Sequence, residues 1–326
     1  MNKSLFRFTL FFVLLSTPII LNGQAKKLVR KGKKLADTEQ QIAYFTEAID
    51  IDNKNLDAYF YRGIARANLE DHWGAILDFS TVIFNKPDAD SYFNRGNSKY
   101  ALEDYKSAYE DYSKAVALDR SFFQAHYNLG MTQLHLKKFN KALHSFLFLL
   151  EHHPDDVHLH TQIGETLLAL DFDKLALMYF NKCITLKNSS DAYYNRGMAY
   201  LDLKDFNKAI RDFNKAISID KKNDAAHFYL GVSLLYKRNF EKAAKRFEHT
   251  LSYNSLDHEA LVGLAIANYH NNNFNKARSY FKKAKNILTS YDTAYNTNDI
   301  SLFDNTTWNL NEGILFEAYY NKLNNL

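Results

Sequence analysis

The stretch AYYNRGMAYLDLKDFNKAIRDFNKAISID, from Ala192 to Asp220, decides the fold. Its apolar and small residues recur three and four apart in two blocks, divided by the polar break LKDF from Leu203 to Phe206. That period marks two amphipathic helices, and the break marks the turn of a helical hairpin. Gly197 in the first block and Ala209 in the second let the two backbones approach, and the ring of Phe213 fills the space beside them.

The same three residues recur along most of the chain. Gly63, Gly96, Gly130, Gly164, Gly197 and Gly231, with Ala265 next in phase, stand 33 or 34 residues apart. Each is followed 12 residues on by Ala75, Ala108, Ala142, Ala176, Ala209, Ala243 or Ala277, and four further on by Phe79, Tyr112, Phe146, Phe180, Phe213, Phe247 or Phe281. With the Gly as position 8, seven copies begin at Leu56, Ala89, Phe123, Val157, Ser190, Asp224 and His258 and together span residues 56–288. Apolar or small residues favour positions 4, 7, 8 and 11, then 20, 24 and 27. A hairpin of this size cannot bury its apolar face alone, so its neighbours must stack on it. The fold expected is all-α, a solenoid of helical hairpins.

A degenerate first copy is expected over residues 24–55, with Phe45 and Ala48 at positions 24 and 27 and the basic stretch AKKLVRKGKKLA as its first helix. Residues 289–326 lose the phase: a polar linker leads to the amphipathic run Glu312 to Leu323, read as a helix that caps the last repeat.

This pattern resembles the tetratricopeptide repeat family from Leu56 to Leu288, and Pro87 and Pro154 sit at position 32, where that family often has Pro. It departs at position 4, where the family's aromatic is replaced by His126, His160, His227 and Leu261. The resemblance implies protein binding on a concave surface lined by positions 2, 5, 6, 9, 12 and 13. Position 5 there carries Phe60, Phe93, Tyr127, Tyr194 and Phe228; position 6 carries Asn94, Asn128, Gln162 and Asn195; position 9 adds Asn97. Evenly spaced amides suit the backbone of an extended peptide, and the rings add apolar area. The competing reading is that the rings only pack against the next helix and the amides only suit solvent. Some family members clamp a carboxylate tail with Lys at position 5 and basic residues at 2 and 6. Here position 5 has no Lys and position 2 has Asp57, Asp90 and Asp191, which argues against that mode.

Position 7 is Arg in three copies, Arg62, Arg95 and Arg196, and position 23 is Asp in the same three, Asp78, Asp111 and Asp212. The other copies have neither. Hairpin geometry sets the two positions opposite each other, so the pairs read as structural salt bridges rather than as ligand-reading arginines.

Residues 1–23 have the layout of a secretory signal: Lys3 and Arg7, an apolar run from Phe8 to Leu15, then Ser16, Thr17 and Pro18, with cleavage expected after Gly23. The competing reading, an uncleaved anchor, offers only the interrupted segment Phe8 to Leu21 against the roughly 20 residues that span a bilayer. Past the signal no segment is apolar enough to be an integral span. An exported protein in a bacterial periplasm or at the cell surface is the expectation.

With 41 basic and 37 acidic residues the chain carries +4, too near neutral to argue for nucleic acid. The single Cys, Cys183, falls at the apolar position 27 and reads as core. Histidines crowd between His126 and His160, in a spacing that matches no metal motif, so no metal and no cofactor is expected. No catalytic constellation stands outside the repeats. The reading is a non-enzymatic scaffold that holds an extended segment of a protein partner. The alternative is an assembly subunit of a cell-envelope complex, using its convex face and its C-terminal helix.

Overall fold

The computed structural model describes residues 22–291 and 313–326, and all regular structure among them is helical. The segment read as an export signal, most of the polar linker and Trp308 lie outside the described residues. Two compact units divide the chain between Pro154 and Asp155.

The first unit holds four hairpins. Helix α1, residues 22–32, pairs with α2, Thr38–Ile51. Then come α3 (Leu56–Asn68) with α4 (His72–Asn85), α5 (Ala89–Ala101) with α6 (Tyr105–Leu118), and α7 (Phe123–His135) with α8 (Phe139–His152). The second unit holds α9 (Val157–Leu168) with α10 (Asp173–Leu186), α11 (Ser190–Asp202) with α12 (Phe206–Ile219), α13 (Asp224–Tyr236) with α14 (Phe240–Tyr253), α15 (His258–His270) with α16 (Phe274–Tyr291), and a last helix, α17 (Gly313–Asn324). In each unit every hairpin packs on the next, which makes the fold a solenoid of helical hairpins.

Local chemistry sets the ends of these helices. Asn55 and Asp88 in the first unit, and Asp156, Ser189, Asn223 and Asp257 in the second, cap a first helix by accepting from its backbone N–H groups. In all seven phased copies the turn is closed by the N–H of position 16 donating to the carbonyl of position 11, at 2.7–2.9 Å. Closing it requires a left-handed residue at position 15: Glu70, Glu103, Lys137, Asp171, Lys204, Arg238 and Asn272 all have φ between 54° and 62°.

The core repeats with the copies. The rings at position 24 are at most 2% exposed, and position 20 is a fully buried Ala throughout. A Cβ placed on any of the six position-8 glycines would come within 2.6–2.9 Å of the ring of its own hairpin, so the ring occupies the volume the glycine leaves. Position 11, which the sequence pattern put in the core, is buried as Gln133, Leu167, Leu234 and Asn268 and half-buried as Arg66, Lys99 and Tyr200. The tight inner positions are 3 and 10, from Ala58 and Ala65 to Ala260 and Ala267, each at most 4% exposed. Cys183 at position 27 is 1% exposed, and burial pushes its thiol up from the ordinary range.

Helix α17 closes the second unit. Tyr320 and Leu323 are buried against Leu261, Val262, Ala265 and Phe281, with the Phe281 and Tyr320 rings edge to face at 5.7 Å. The hydroxyl of Tyr319 meets His270 Nε2 at 2.9 Å, and Lys285 donates to Asn324. Apolar area that the last repeat has no neighbour to cover is thereby removed from water.

Candidate interaction surface

The surface starts from the rings at position 5. Each packs on the position-24 ring of its own hairpin: Phe60 on Phe79 at 5.8 Å, Phe93 on Tyr112 at 6.0 Å and Tyr127 on Phe146 at 6.0 Å in the first unit; Tyr194 on Phe213 at 6.1 Å and Phe228 on Phe247 at 5.7 Å in the second. One side of each ring is therefore committed to the core. Phe60, Phe93, Tyr127 and Tyr194 remain half-buried, but Phe228 is 6% exposed and belongs to the interior.

Position 6 lies at the seam with the preceding hairpin. Where it is Tyr, the ring stands over the previous position-24 ring, Tyr61 over Phe45 and Tyr229 over Phe213. Asn128 in that place donates to Asn97 Oδ1 at 2.9 Å, and Asn97 Oδ1 also accepts from the hydroxyl of buried Tyr112 at 2.8 Å. Asn94 donates to the carbonyl of Asp90 in its own helix, and Gln162 donates to Glu165. Asn195 is half-buried beside Tyr194. The position-6 amides thus share one helical position but not one state: Asn128 forms an internal pair with Asn97 of position 9, while Asn94 and Gln162 bond within their own helices.

The three Arg–Asp pairs form a second construction. Arg62, Arg95 and Arg196 each donate through Nε and Nη2 to both oxygens of Asp78, Asp111 and Asp212, at 2.7–3.0 Å. The aspartates are 2–6% exposed. The remaining Nη1 reaches position 25 of the preceding hairpin: Thr46 Oγ1 at 3.2 Å, Ser80 Oγ at 3.0 Å and Asn181 Oδ1 at 2.7 Å. Each arginine also lies over the ring at its own position 4, Tyr59, Tyr92 or Tyr193, at 5.5–5.6 Å. In the same three copies position 16 is Asp, and Asp71, Asp104 and Asp205 cap the second helix. Four positions therefore change together, and the tyrosines, the capping aspartates and the position-25 acceptors were there to be found in the same alignment. Bonding to Asp111 and to Asp212 pushes Arg95 and Arg196 further up.

Three of the four copies without the pair put imidazole at position 4, His126, His160 and His227, and the fourth has Leu261. His227 is 2% exposed, stacked on His249 at 3.6 Å. Its Nε2 lies 3.3 Å from the carbonyl of Lys221 and its Nδ1 faces Arg246, an arrangement that suits the neutral ring with the proton on Nε2. Burial, with His249 and the Arg246 guanidinium close by, pushes His227 down to about 4. Burial also lowers His126, whose ring packs on Phe148 at 4.3 Å. Among the described residues, no three metal-ligating side chains gather in one place.

Family models described as tetratricopeptide repeat match residues 190–223 and 228–293, and one described as TPR repeat matches 96–137. No curated protein matches the sequence. Among solved structures, the C-terminal part of a TPR repeat-containing protein from Cytophaga hutchinsonii is 18% identical with a TM-score of 0.59, over 74% of this chain and 99% of that one. The Cut9–Hcn1 hetero-tetramer of the APC/C is 16% identical with a TM-score of 0.54, over 83% of this chain and 53% of that one. At such identities the likeness is one of fold. The first of the matched stretches opens on Ser190, the residue at which α11 begins, and with three such stretches and the shared fold the chain belongs to the tetratricopeptide repeat family.

Proposed function

We propose that the protein is an exported, non-catalytic scaffold that holds an extended segment of a protein partner on the face of its first helices. Membership of the family makes protein or peptide partners the expectation. The observation that carries the finer reading is the half-buried ring beside an amide not turned to another helix at positions 5 and 6, Phe93 with Asn94 in the first unit and Tyr194 with Asn195 in the second. Amides offer donors and acceptors to a peptide backbone in any sequence, and the open sides of the rings offer area for stacking. The export part rests on Lys3, Arg7 and the apolar run that follows them.

The test is crosslinking in the native cell followed by mass spectrometry, with fractionation of the same cells. The unchanged protein is compared with a Phe93→Ala, Asn94→Ala, Asn195→Ala variant and with a second-helix control, Lys106→Glu with Arg211→Glu. Loss of one partner from the first variant alone supports the groove. An unchanged partner set moves binding to another face, and a cytosolic protein that keeps Met1 overturns export.

The second reading, an assembly subunit of an envelope complex, draws on exposed apolar side chains of the second helices, Met178 on α10 among them. It would be favoured by partners lost only from the control variant. The C-terminal helix serves it poorly, because Tyr320 and Leu323 are buried within their own unit.

A further inference from the structure

In the first unit the most exposed large apolar side chains gather on α4. Trp73 is 71% exposed, Leu77 68% and Phe84 88%. Their spacing puts all three on one face of the helix. That face carries no formal charge: α4 has no Lys or Arg, and its one acidic residue is Asp78, 2% exposed and held by Arg62 and Arg66. The helices on either side differ. Exposed Glu39, Glu47 and Asp50 stand on α2, which has no basic residue, and exposed Lys106, Glu110 and Lys114 stand on α6. The three helices lie side by side, tied by Arg62 between α2 and α4 and by Arg95 between α4 and α6.

We infer that this face receives a second copy of the chain, α4 against α4 about a twofold axis. Area supports it: a large ring covers about 150–250 Å² when fully buried, so the three side chains present on the order of 500 Å². That is at the upper end of the roughly 300–600 Å² of the largest patch on a typical monomer. Doubled by symmetry it reaches about 1,000 Å², the least a biological interface buries and the size of weak, reversible ones. Charge fixes the direction. A twofold axis along α4 lays the acidic α2 of one copy over α6 of the other and brings Glu39 and Glu47 toward Lys106 and Lys114. An axis across α4 would set the two acidic α2 helices on each other. The contact is self-complementary, as a closed twofold pair requires.

Light scattering on the full chain tests this. The unchanged protein is expected at twice the chain mass at about 0.1 mM, above the micromolar range of modest interfaces, and Leu77→Asp and Trp73→Glu at one chain mass with unchanged circular dichroism. Phe84→Cys is a second measurement that leaves the rest of the face intact. With the axis along α4 it meets its own copy and forms a disulfide-linked dimer under mild oxidation, while the native Cys183, 1% exposed, stays unreacted. An unchanged protein at one chain mass throughout, or a dimer that both charged variants keep, overturns the inference. A monomer that floats with lipid vesicles through Trp73 also overturns it and assigns the face to a membrane surface. A dimer that Phe84→Cys does not crosslink overturns the along-helix axis.

Discussion

Asp111 is met by three nitrogens, Nε and Nη2 of Arg95 at 2.8 and 2.7 Å and Nζ of Lys99 at 2.7 Å, and is 3% exposed. The covariation of positions 7 and 23 reveals the first partner more plainly than the second, because position 11 is basic in only two of the three Asp-bearing copies, as Arg66 on Asp78 and Lys99 on Asp111, and is Tyr200 in the third. The second partner alters the expected cost of mutation. Arg95→Leu leaves Asp111 with Lys99 and should cost about 1.5–3 kcal/mol, the worth of a hydrogen bond to a charged group. Arg95→Leu with Lys99→Leu strands a buried carboxylate and should cost about 3–5 kcal/mol. Adding Asp111→Tyr, the residue that stands at position 23 in the copies from Val157 and His258, should recover most of that loss. Urea melts of the three variants check the series, and equal destabilisation by the single and double variants would remove Lys99 from the account. Asn128 teaches a similar lesson: its residue type announces an amide in a file, but not that the amide is turned toward Asn97.

The hairpins themselves were legible because their signal is redundant, a Gly, an Ala and a ring repeated in phase. Their turns were not. A left-handed backbone is usually announced by Gly, and here position 15 is charged or polar in every copy, so LEDH, LEDY and LKDF read only as a polar break. A non-glycine residue in that conformation costs roughly 1–2 kcal/mol, part of which Gly would return through its greater freedom in the unfolded chain. Glu103→Gly should therefore raise stability by about 0.5–1 kcal/mol, Glu103→Ala should leave it nearly unchanged, and Glu103→Val should lower it. Thermal melts that rank the three otherwise would mean that the Glu103 side chain has a role in the turn beyond its backbone angle.

At the scale of the molecule, a stack of hairpins has ends, and the end of the second unit is closed by a helix that lies out of phase with the repeats. The sequence showed that helix by its amphipathic run, while the residues it covers became visible only in three dimensions: Leu261, Val262 and Ala265, each at most 1% exposed. Tyr320→Ala with Leu323→Ala should detach it. Hydrogen exchange in α15 and α16 should then report local opening easier by roughly 2–4 kcal/mol, the range for emptying a packed site. Unchanged protection there would make the contact of α17 incidental. The Arg–Asp clamp also bears on how such an array can be rearranged. Its third hydrogen bond goes to the copy before, to Thr46, Ser80 or Asn181, so an Arg-bearing copy is matched to its predecessor. Transplanting the copy that starts at Ser190 behind the one that starts at Phe123 would set Arg196 beside Leu147, which has nothing to accept with. The copies are thus words with a fixed order rather than interchangeable beads, and recombination or design that shuffles them must carry each Arg-bearing copy together with the one in front of it.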